Sequence, residues 1–309
     1  MIYDQYHFRI PEGRRVRLII NSDAKNEADD QYAIVQALLS PKFDNRGIIA
    51  AHFGTEKSPH SMEDSYEEVV KLLGLMDFPK ELAYRGADRK LEDILVPVES
   101  EGARLIIDEA MKESEDPLYV IFLGPLTDMA SACLMEPRIT NRMTCIWIGG
   151  AQYPEGGYEY NLNNDILAAR FVMNSALPVW QIPRDVYSQV IVSLAELEYR
   201  VRPCGELGKY LFEQLEEHGH TSFAMATART GEYWCLGDSP AVGVLLFAHM
   251  YSYDWVQAPL ITDNMAYVNN RQNRPIRVYH HVDNRFILED FYAKLALFTA
   301  RRETGGQER

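Results

Sequence analysis

Short apolar runs alternate with stretches of helical periodicity along most of this chain, and that alternation restricts its fold more than any other feature. The runs Val16–Ile20, Ile48–Phe53, Tyr119–Leu123, Thr144–Ile148 and Val179–Ile182 are too short for buried helices and read as strands. Between and after them lie the helical stretches Gln31–Ser40, Ser61–Leu73, Gly102–Lys112, Asp128–Leu134 and Asp165–Ser175. Strand, helix and strand in succession pack as βαβ units, so the chain reads as α/β, an open, mostly parallel sheet with helices on both faces. Ser193–Leu215 and Pro240–Met250 are mainly helical; strands near Pro259–Val268 and Ile276–His281 precede a last helix, Phe286–Ala300. No linker or repeat divides the chain, so residues 1–300 form one domain and the polar, Gly-Gly-bearing tail 301–309 is expected to fray.

The first run leads directly into Asn21-Ser22-Asp23-Ala24-Lys25-Asn26-Glu27-Ala28-Asp29-Asp30. Asp23, Glu27, Asp29 and Asp30 therefore stand between the C-terminal end of a strand and the N-terminal end of a helix, the crevice in which open α/β sheets bind ligands. The helix dipole favours first-turn acids by about 0.3–1 kcal/mol each, which accounts for Asp29 and Asp30 but not for Asp23 as well. Carboxylates so close repel one another unless a cation lies among them, and hard oxygen ligands at this density suggest Ca²⁺ or Mg²⁺.

The whole-chain balance removes several alternatives. A formal net charge of −14 disfavours nucleic acid and anionic membranes as partners. Cys133, Cys145, Cys204 and Cys235 form no CxxC pair, which fits a reducing, cytoplasmic setting. Met1–Arg15 has no apolar stretch, so no secretory leader is expected, and no apolar run is long enough to span a bilayer.

Three further segments fall at strand ends. In Leu123-Gly124-Pro125-Leu126-Thr127-Asp128 the Gly-Pro pair stops a strand, and Thr127 or Asp128 is placed to cap the next helix. Ile148-Gly149-Gly150 permits close backbone approach to a ligand, and Glu159-Tyr160-Asn161 and Asn163-Asn164-Asp165 after it offer groups suited to sugar hydroxyls. Gly237-Asp238-Ser239-Pro240 precedes the apolar stretch Ala241–Phe247, where Asp238 alone would be a plain N-cap.

Taken in order, these segments resemble the inosine-uridine-preferring nucleoside hydrolase family. That family has an aspartate-rich turn after its first strand and a Gly-Pro-Leu-Thr-Asn-like turn. A Met-Gly-Gly strand end, a Glu-Phe-Asn element before an Asp-Pro-x-Ala-Ala helix, and a late His-Asp pair follow. The matching segments here are Asn21–Ala33, Gly124–Asp128, Ile148–Gly150, Glu159–Asn161 with Asp165–Ala169, and Gly237–Asp238. The resemblance implies an open α/β fold, a bound Ca²⁺, hydrolysis of an N-ribosidic bond in a small nucleoside, and assembly into dimers or tetramers. By position it makes Asp23 both a calcium ligand and the base that takes a proton from water. It makes Asp30, Asp238 and the carbonyl of Leu123 further ligands, and Asp29, Glu159 and Asn161 the holders of the ribose hydroxyls.

The departures from the pattern are specific. Asp23 and Asp29 are separated by Ala24-Lys25-Asn26-Glu27-Ala28, two residues more than usual, and an ungapped match would put Lys25 at the base position. A loop insertion keeps Asp23 and brings Glu27, with Asn26 beside it, forward as extra site candidates. The family's first aspartate is Asn21 here, and Thr55 follows Gly54 where an asparagine is usual. Gly237 stands where purine-cleaving relatives carry a histidine that protonates the leaving base. His52, Glu56, Arg229, Tyr233 and Trp234 are the candidates to replace it. His218 and His220 read as loop residues, His280-His281 as structural, and Ser65–Glu68 as a solvated helix face. Two other classes share parts of the pattern: a nucleoside- or sugar-binding homologue without catalysis, and a Mg²⁺-dependent phosphohydrolase, which would want a DxD turn where Asp23-Ala24-Lys25 stands.

Overall fold

The computed structural model describes residues 6–226, 231–247 and 251–305. Its strands are β1 (Val16–Ser22), β2 (Phe43–Ala50), β3 (Ala83–Arg85), β4 (Leu118–Phe122), β5 (Met143–Ile148), β6 (Val179–Ile182), β7 (Ile191–Ser193), β8 (Tyr233–Cys235), β9 (Tyr253–Gln257), β10 (Leu260–Ile261), β11 (Tyr267–Val268) and β12 (Pro275–Tyr279). The main sheet has the order β3-β2-β1-β4-β5-β6-β12-β9. All its pairings are parallel except that of β9 with β12.

The helices are α1 (Asp30–Leu38), α2 (Ser61–Leu75), α3 (Glu101–Met111), α4 (Thr127–Met135), α5 (Tyr160–Asn164), α6 (Ile166–Asn174), α7 (Arg184–Tyr187), α8 (Leu194–Arg200), α9 (Gly205–Gly219), α10 (Ser222–Ala226), α11 (Ser239–Leu246) and α12 (Asn284–Gly305). They cover both faces, as expected. Every residue of β1 is buried, and successive side chains point to opposite sides of the sheet. Leu18 and Ile20 join one core with α1, α9, α11 and α12, while Ile19 joins the other with α3, α4 and α6. That two-sided burial is why β1 reads as a continuous apolar run.

Several boundaries differ from expectation. β2 spans Phe43–Ala50 instead of Ile48–Phe53, because polar Asp44, Asn45 and Arg46 hide a segment that pairs with β1, and Ala51–Phe53 have left the sheet. The expected strand Pro259–Val268 is a pair of two-residue strands that turn through Met265 at φ 63°. The antiparallel edge strand β9 has no run of apolar residues to announce it. α11 stops at Leu246, and the expected extension to Met250 enters residues 248–250, which lie outside the described residues. α12 continues to Gly305 through part of the tail expected to fray, and Arg302 holds it by donating to the Leu75 carbonyl and to Asp77 Oδ2, both at 2.6 Å. Among the described residues no helix is long and apolar enough to cross a membrane.

Candidate active site

The chain leaves β1 for β2 and β3 on one side, then returns to place β4 on the other side of β1. This reversal of strand order opens a crevice at the C-terminal ends of β1 and β4, where ligands bind in such sheets. A pocket open to solvent lies there. Asp23, Asn26, Glu27, Asp29 and Asp30 line it from the loop after β1, Leu123 from the end of β4, and Ile148 from β5. Glu159 and Asn161 line it at α5, and Gly237 and Asp238 at the start of α11. Residues expected at a common site from distant parts of the sequence are thus brought together.

Asp29 and Asp238 are the residues that precede α1 and α11, yet neither makes a side-chain cap hydrogen bond to its own helix. Glu159 and Asp165, at the same position before α5 and α6, do cap them. The capping reading therefore does not account for Asp29 or Asp238, whose carboxylates converge with Asp30 so that one oxygen from each lies within 4.8 Å of the others. The family resemblance implies Asp29 for the sugar and Asp23 for the metal; the converging triplet contains Asp29, and Asp23 lines the same pocket.

The electrostatics of the cluster follow from burial. Burial raises the pKa of Asp23, Asp30 and Asp238, and nearby carboxylates raise it further; Asp30, despite accepting from Ser22 Oγ at 2.6 Å, is pushed up to about 7. Asp30 and Asp238 lie close enough to shift each other's proton affinity, so like charges there are relieved either by a proton or by a cation. Asp23 Oδ2 is buried and has no hydrogen-bond partner. Its carboxyl lies against Gly124, where an added Cβ would fall 2.7 Å from Asp23 Oδ1, so glycine in the Gly-Pro turn makes room for the acid. A buried carboxylate oxygen without a donor and three converging acids form a donor set that fits a hard divalent cation.

On the opposite wall the Glu159 carboxylate accepts Gly150 N–H and Leu162 N–H on Oε2, and Asn161 N–H and the Tyr187 hydroxyl on Oε1. Asn161 Nδ2 donates to the carbonyls of Leu123 at 2.7 Å and Ile148 at 2.9 Å, leaving its side-chain oxygen as its free chemistry. Tyr187 and Tyr160 also line the cavity and were missed in the sequence. Tyr187 had a usable signal, since it follows the end of β6 on the same rim as the other site residues. Lys57 bridges this rim, donating to the Asn26 carbonyl at 3.0 Å and lying 5.2 Å from the Tyr160 ring centre.

Other candidates fall elsewhere. His52 is buried outside the cavity: its Nδ1 accepts Gly54 N–H, so its Nε2 donates to Thr127 Oγ1, which in turn donates to Asp165 Oδ2. Thr127 and Asp128 begin α4 without capping it, because their side chains serve this layer beneath the pocket. Tyr233 and Trp234 line a separate pocket with His220. Glu56 and Thr55 are exposed on a loop, and Arg229 lies outside the described residues. His218 sits in α9 with its ring edge-on to Trp234, not in a loop; His280 is exposed and within 3.0 Å of Asp254. The expected solvated face Ser65–Glu68 is corrected at Ser65 and Glu68, both buried. Glu68 accepts from Lys25 at 3.1 Å, from Gln31 at 3.2 Å and from the Tyr210 hydroxyl. Lys25 therefore points away from the pocket, as an insertion in the acid loop requires.

Comparison with known proteins settles the family. The model of the inosine-uridine preferring nucleoside hydrolase family matches residues 18–289. The chain belongs to that family. Among individual nucleoside hydrolases, the pyrimidine-specific ribonucleoside hydrolase RihB of Escherichia coli O139:H28 is 25% identical over 153 residues, 47% of this chain and 49% of that protein. The chain spans about half the length of such curated relatives. A purine-preferring ribonucleoside hydrolase from Gardnerella vaginalis has the same fold, with TM-score 0.77 and 20% identity over 92% of this chain and 99% of that one. An inosine-guanosine nucleoside hydrolase follows at TM-score 0.71 and 17% identity, covering 91% of this chain and 98% of its own.

Proposed function

We propose that this nucleoside hydrolase family member is a calcium-dependent enzyme that cleaves the N-glycosidic bond of a ribonucleoside or related N-riboside. The observation that carries the reading is the convergence of Asp23, Asp29, Asp30 and Asp238 at the reversal point of the sheet, opposite Glu159 and Asn161. Asp23, Asp30, Asp238 and the Leu123 carbonyl would hold the ion, with Asp29 in the same cluster. Calcium supplies there the polarisation that orients a water and lowers its pKa.

The remaining work falls to the chain. Asp23 takes a proton from the attacking water, whose oxygen bonds to the anomeric carbon as the bond to the leaving group breaks. The sugar passes through an oxocarbenium-like state, and the surrounding carboxylates stabilise its positive charge. Asp29 and the side-chain oxygen of Asn161 accept sugar hydroxyls and fix the ring.

The electron pair of the broken bond leaves with the base, which needs a proton unless it departs as a stable anion. Gly237 has none to give. Tyr187 directs its proton at Glu159, and burial beside Asp23 and Glu27 raises the Tyr160 pKa so that its proton is held tightly. Leaving groups that depart without protonation are therefore favoured.

The test is release of free sugar from inosine, uridine, adenosine, cytidine and p-nitrophenyl riboside, with and without a calcium chelator. Fastest turnover of the p-nitrophenyl compound, abolished by chelation and restored by Ca²⁺, is the expected result. Calcium-dependent binding of these compounds with no release from any of them would replace the enzyme with a binding protein.

A further inference from the structure

The Glu159 carboxylate has no acceptor position left. A carboxylate offers about four lone-pair sites. Here they are filled by the amides of Gly150 at 2.8 Å, Leu162 at 2.9 Å and Asn161 at 3.2 Å, and by the Tyr187 hydroxyl at 2.8 Å. The three amides are fixed by the fold. Gly150 sits at φ 77°, where an added Cβ would fall 2.2 Å from the Tyr267 hydroxyl oxygen, and Asn161 and Leu162 belong to the first turn of α5. The fourth donor is a side chain. A sugar hydroxyl reaches Glu159 only by displacing the Tyr187 hydroxyl from a hydrogen bond to an ionised acceptor, a strong class of bond.

Gly237 completes the arrangement. A Cβ at that position would lie 3.0 Å from Tyr187 Cδ2 and 3.4 Å from Asp29 Oδ2. The tyrosine ring therefore stands where a side chain at 237 would extend, and both residues face the same cavity. A side chain at 237 and the Tyr187 ring would compete for the same space in the pocket.

We propose that Tyr187 is a specificity-determining residue whose hydroxyl takes the place of a sugar hydroxyl on Glu159, so that the pocket takes pentosides with no hydrogen-bond donor at that corner. Among N-ribosides and their close relatives, the favoured class then lacks a hydroxyl at that corner or carries a non-donating substituent there. This deepens the proposed N-riboside hydrolysis and rests on that reading for the identity of the ligand as a sugar.

The experiment measures sugar selectivity by binding as well as by turnover. The probes are 1,4-dideoxy-1,4-imino-D-ribitol, a cationic mimic of the oxocarbenium-like state suited to an acidic pocket, and its 2-, 3- and 5-deoxy forms. Their affinities are measured by calorimetry for the wild type, Tyr187→Phe and Gly237→Ala, and kcat and KM are measured for p-nitrophenyl riboside and its matching deoxy forms. The wild type is expected to bind one deoxy form about tenfold more tightly than the parent. Tyr187→Phe, which removes the hydroxyl and keeps the ring, opens the fourth site on Glu159. It is expected to tighten the parent compound about tenfold and leave that deoxy form within twofold, with the change in KM and not kcat. Gly237→Ala, by pressing on the ring, is expected to move selectivity in the same direction. Tightest wild-type binding of the fully hydroxylated compound, or an equal change for every probe in Tyr187→Phe, would overturn the proposal. The predicted selectivity in binding with no turnover of any glycoside would support the proposal and overturn the hydrolase reading instead.

Discussion

Asn21 Nδ2 donates to Asp128 Oδ2 at 2.9 Å in the buried layer beneath the pocket. In the family pattern the chain resembles, the first position is an aspartate and the second an asparagine, so the two residue types are exchanged here. Asp128 also accepts from Ala87 N at 2.9 Å and Ser100 Oγ at 2.6 Å on its other oxygen, which either an aspartate or an asparagine carbonyl provides. The exchange keeps one amide donor and one carboxylate and preserves the link between the end of β1 and the start of α4.

Asn21→Asp alone puts two carboxylates in contact at a fully buried position and is expected to destabilise the fold by about 2–4 kcal/mol. The double variant Asn21→Asp, Asp128→Asn restores a donor and acceptor pair and is expected to recover most of that loss. Urea unfolding of the two single variants and the double variant measures the coupling; additive destabilisation in the double variant would contradict it.

Much of this arrangement was legible in the sequence because two-sided burial writes an uninterrupted apolar run, and β1, β4, β5 and β6 are all central strands. The acids after β1 could be placed at the ligand crevice from that alone. What could not be read depended on contacts between distant segments. Glu68 follows Glu67 on a helix and reads as part of its solvated face, and its burial follows from Lys25, Gln31 and Tyr210 arriving from other elements. His52 looked available for chemistry, but Thr127 and Gly54 occupy both its nitrogens. The end of β6 places Tyr187 on the site rim, but its hydrogen bond to Glu159 and its contact with Gly237 join segments far apart in the chain.

His52 makes the fold sensitive to acid. Burial lowers its pKa to about 4 from an ordinary 6.5, and protonation at Nδ1 would also set an N–H against the amide of Gly54. The unfolded chain takes up this proton below pH 6.5 while the folded chain resists until about pH 4, so stability falls as pH drops through that window. The loss from this group is on the order of 3 kcal/mol. His52→Gln is expected to flatten the pH dependence of unfolding free energy between pH 6.5 and 4.5; an unchanged slope would assign the acid sensitivity to other groups.

Glu68 fastens the acid-bearing loop to α2 and α9. Glu68→Ala leaves Gln31 and Tyr210 without their shared buried acceptor and releases Lys25, a loss of about 2–3 kcal/mol for hydrogen bonds to a charged group. Hydrogen exchange should rise in residues 24–31 while the β4 and β5 amides stay protected. Uniform loss of protection across the sheet would show a role in global stability without a local one.

The most direct test of the central claim is hydrolysis of p-nitrophenyl riboside by the wild type and Asp23→Asn in excess Ca²⁺, with bound calcium measured on the same samples. Asp23 is assigned the proton of the attacking water, and general-base contributions are about 10²–10⁴-fold. The account predicts a kcat lower by about 10³-fold in a variant that still folds and still binds calcium through Asp30 and Asp238. Activity within tenfold of the wild type, with calcium bound, would contradict it and place the water-activating group elsewhere in the pocket.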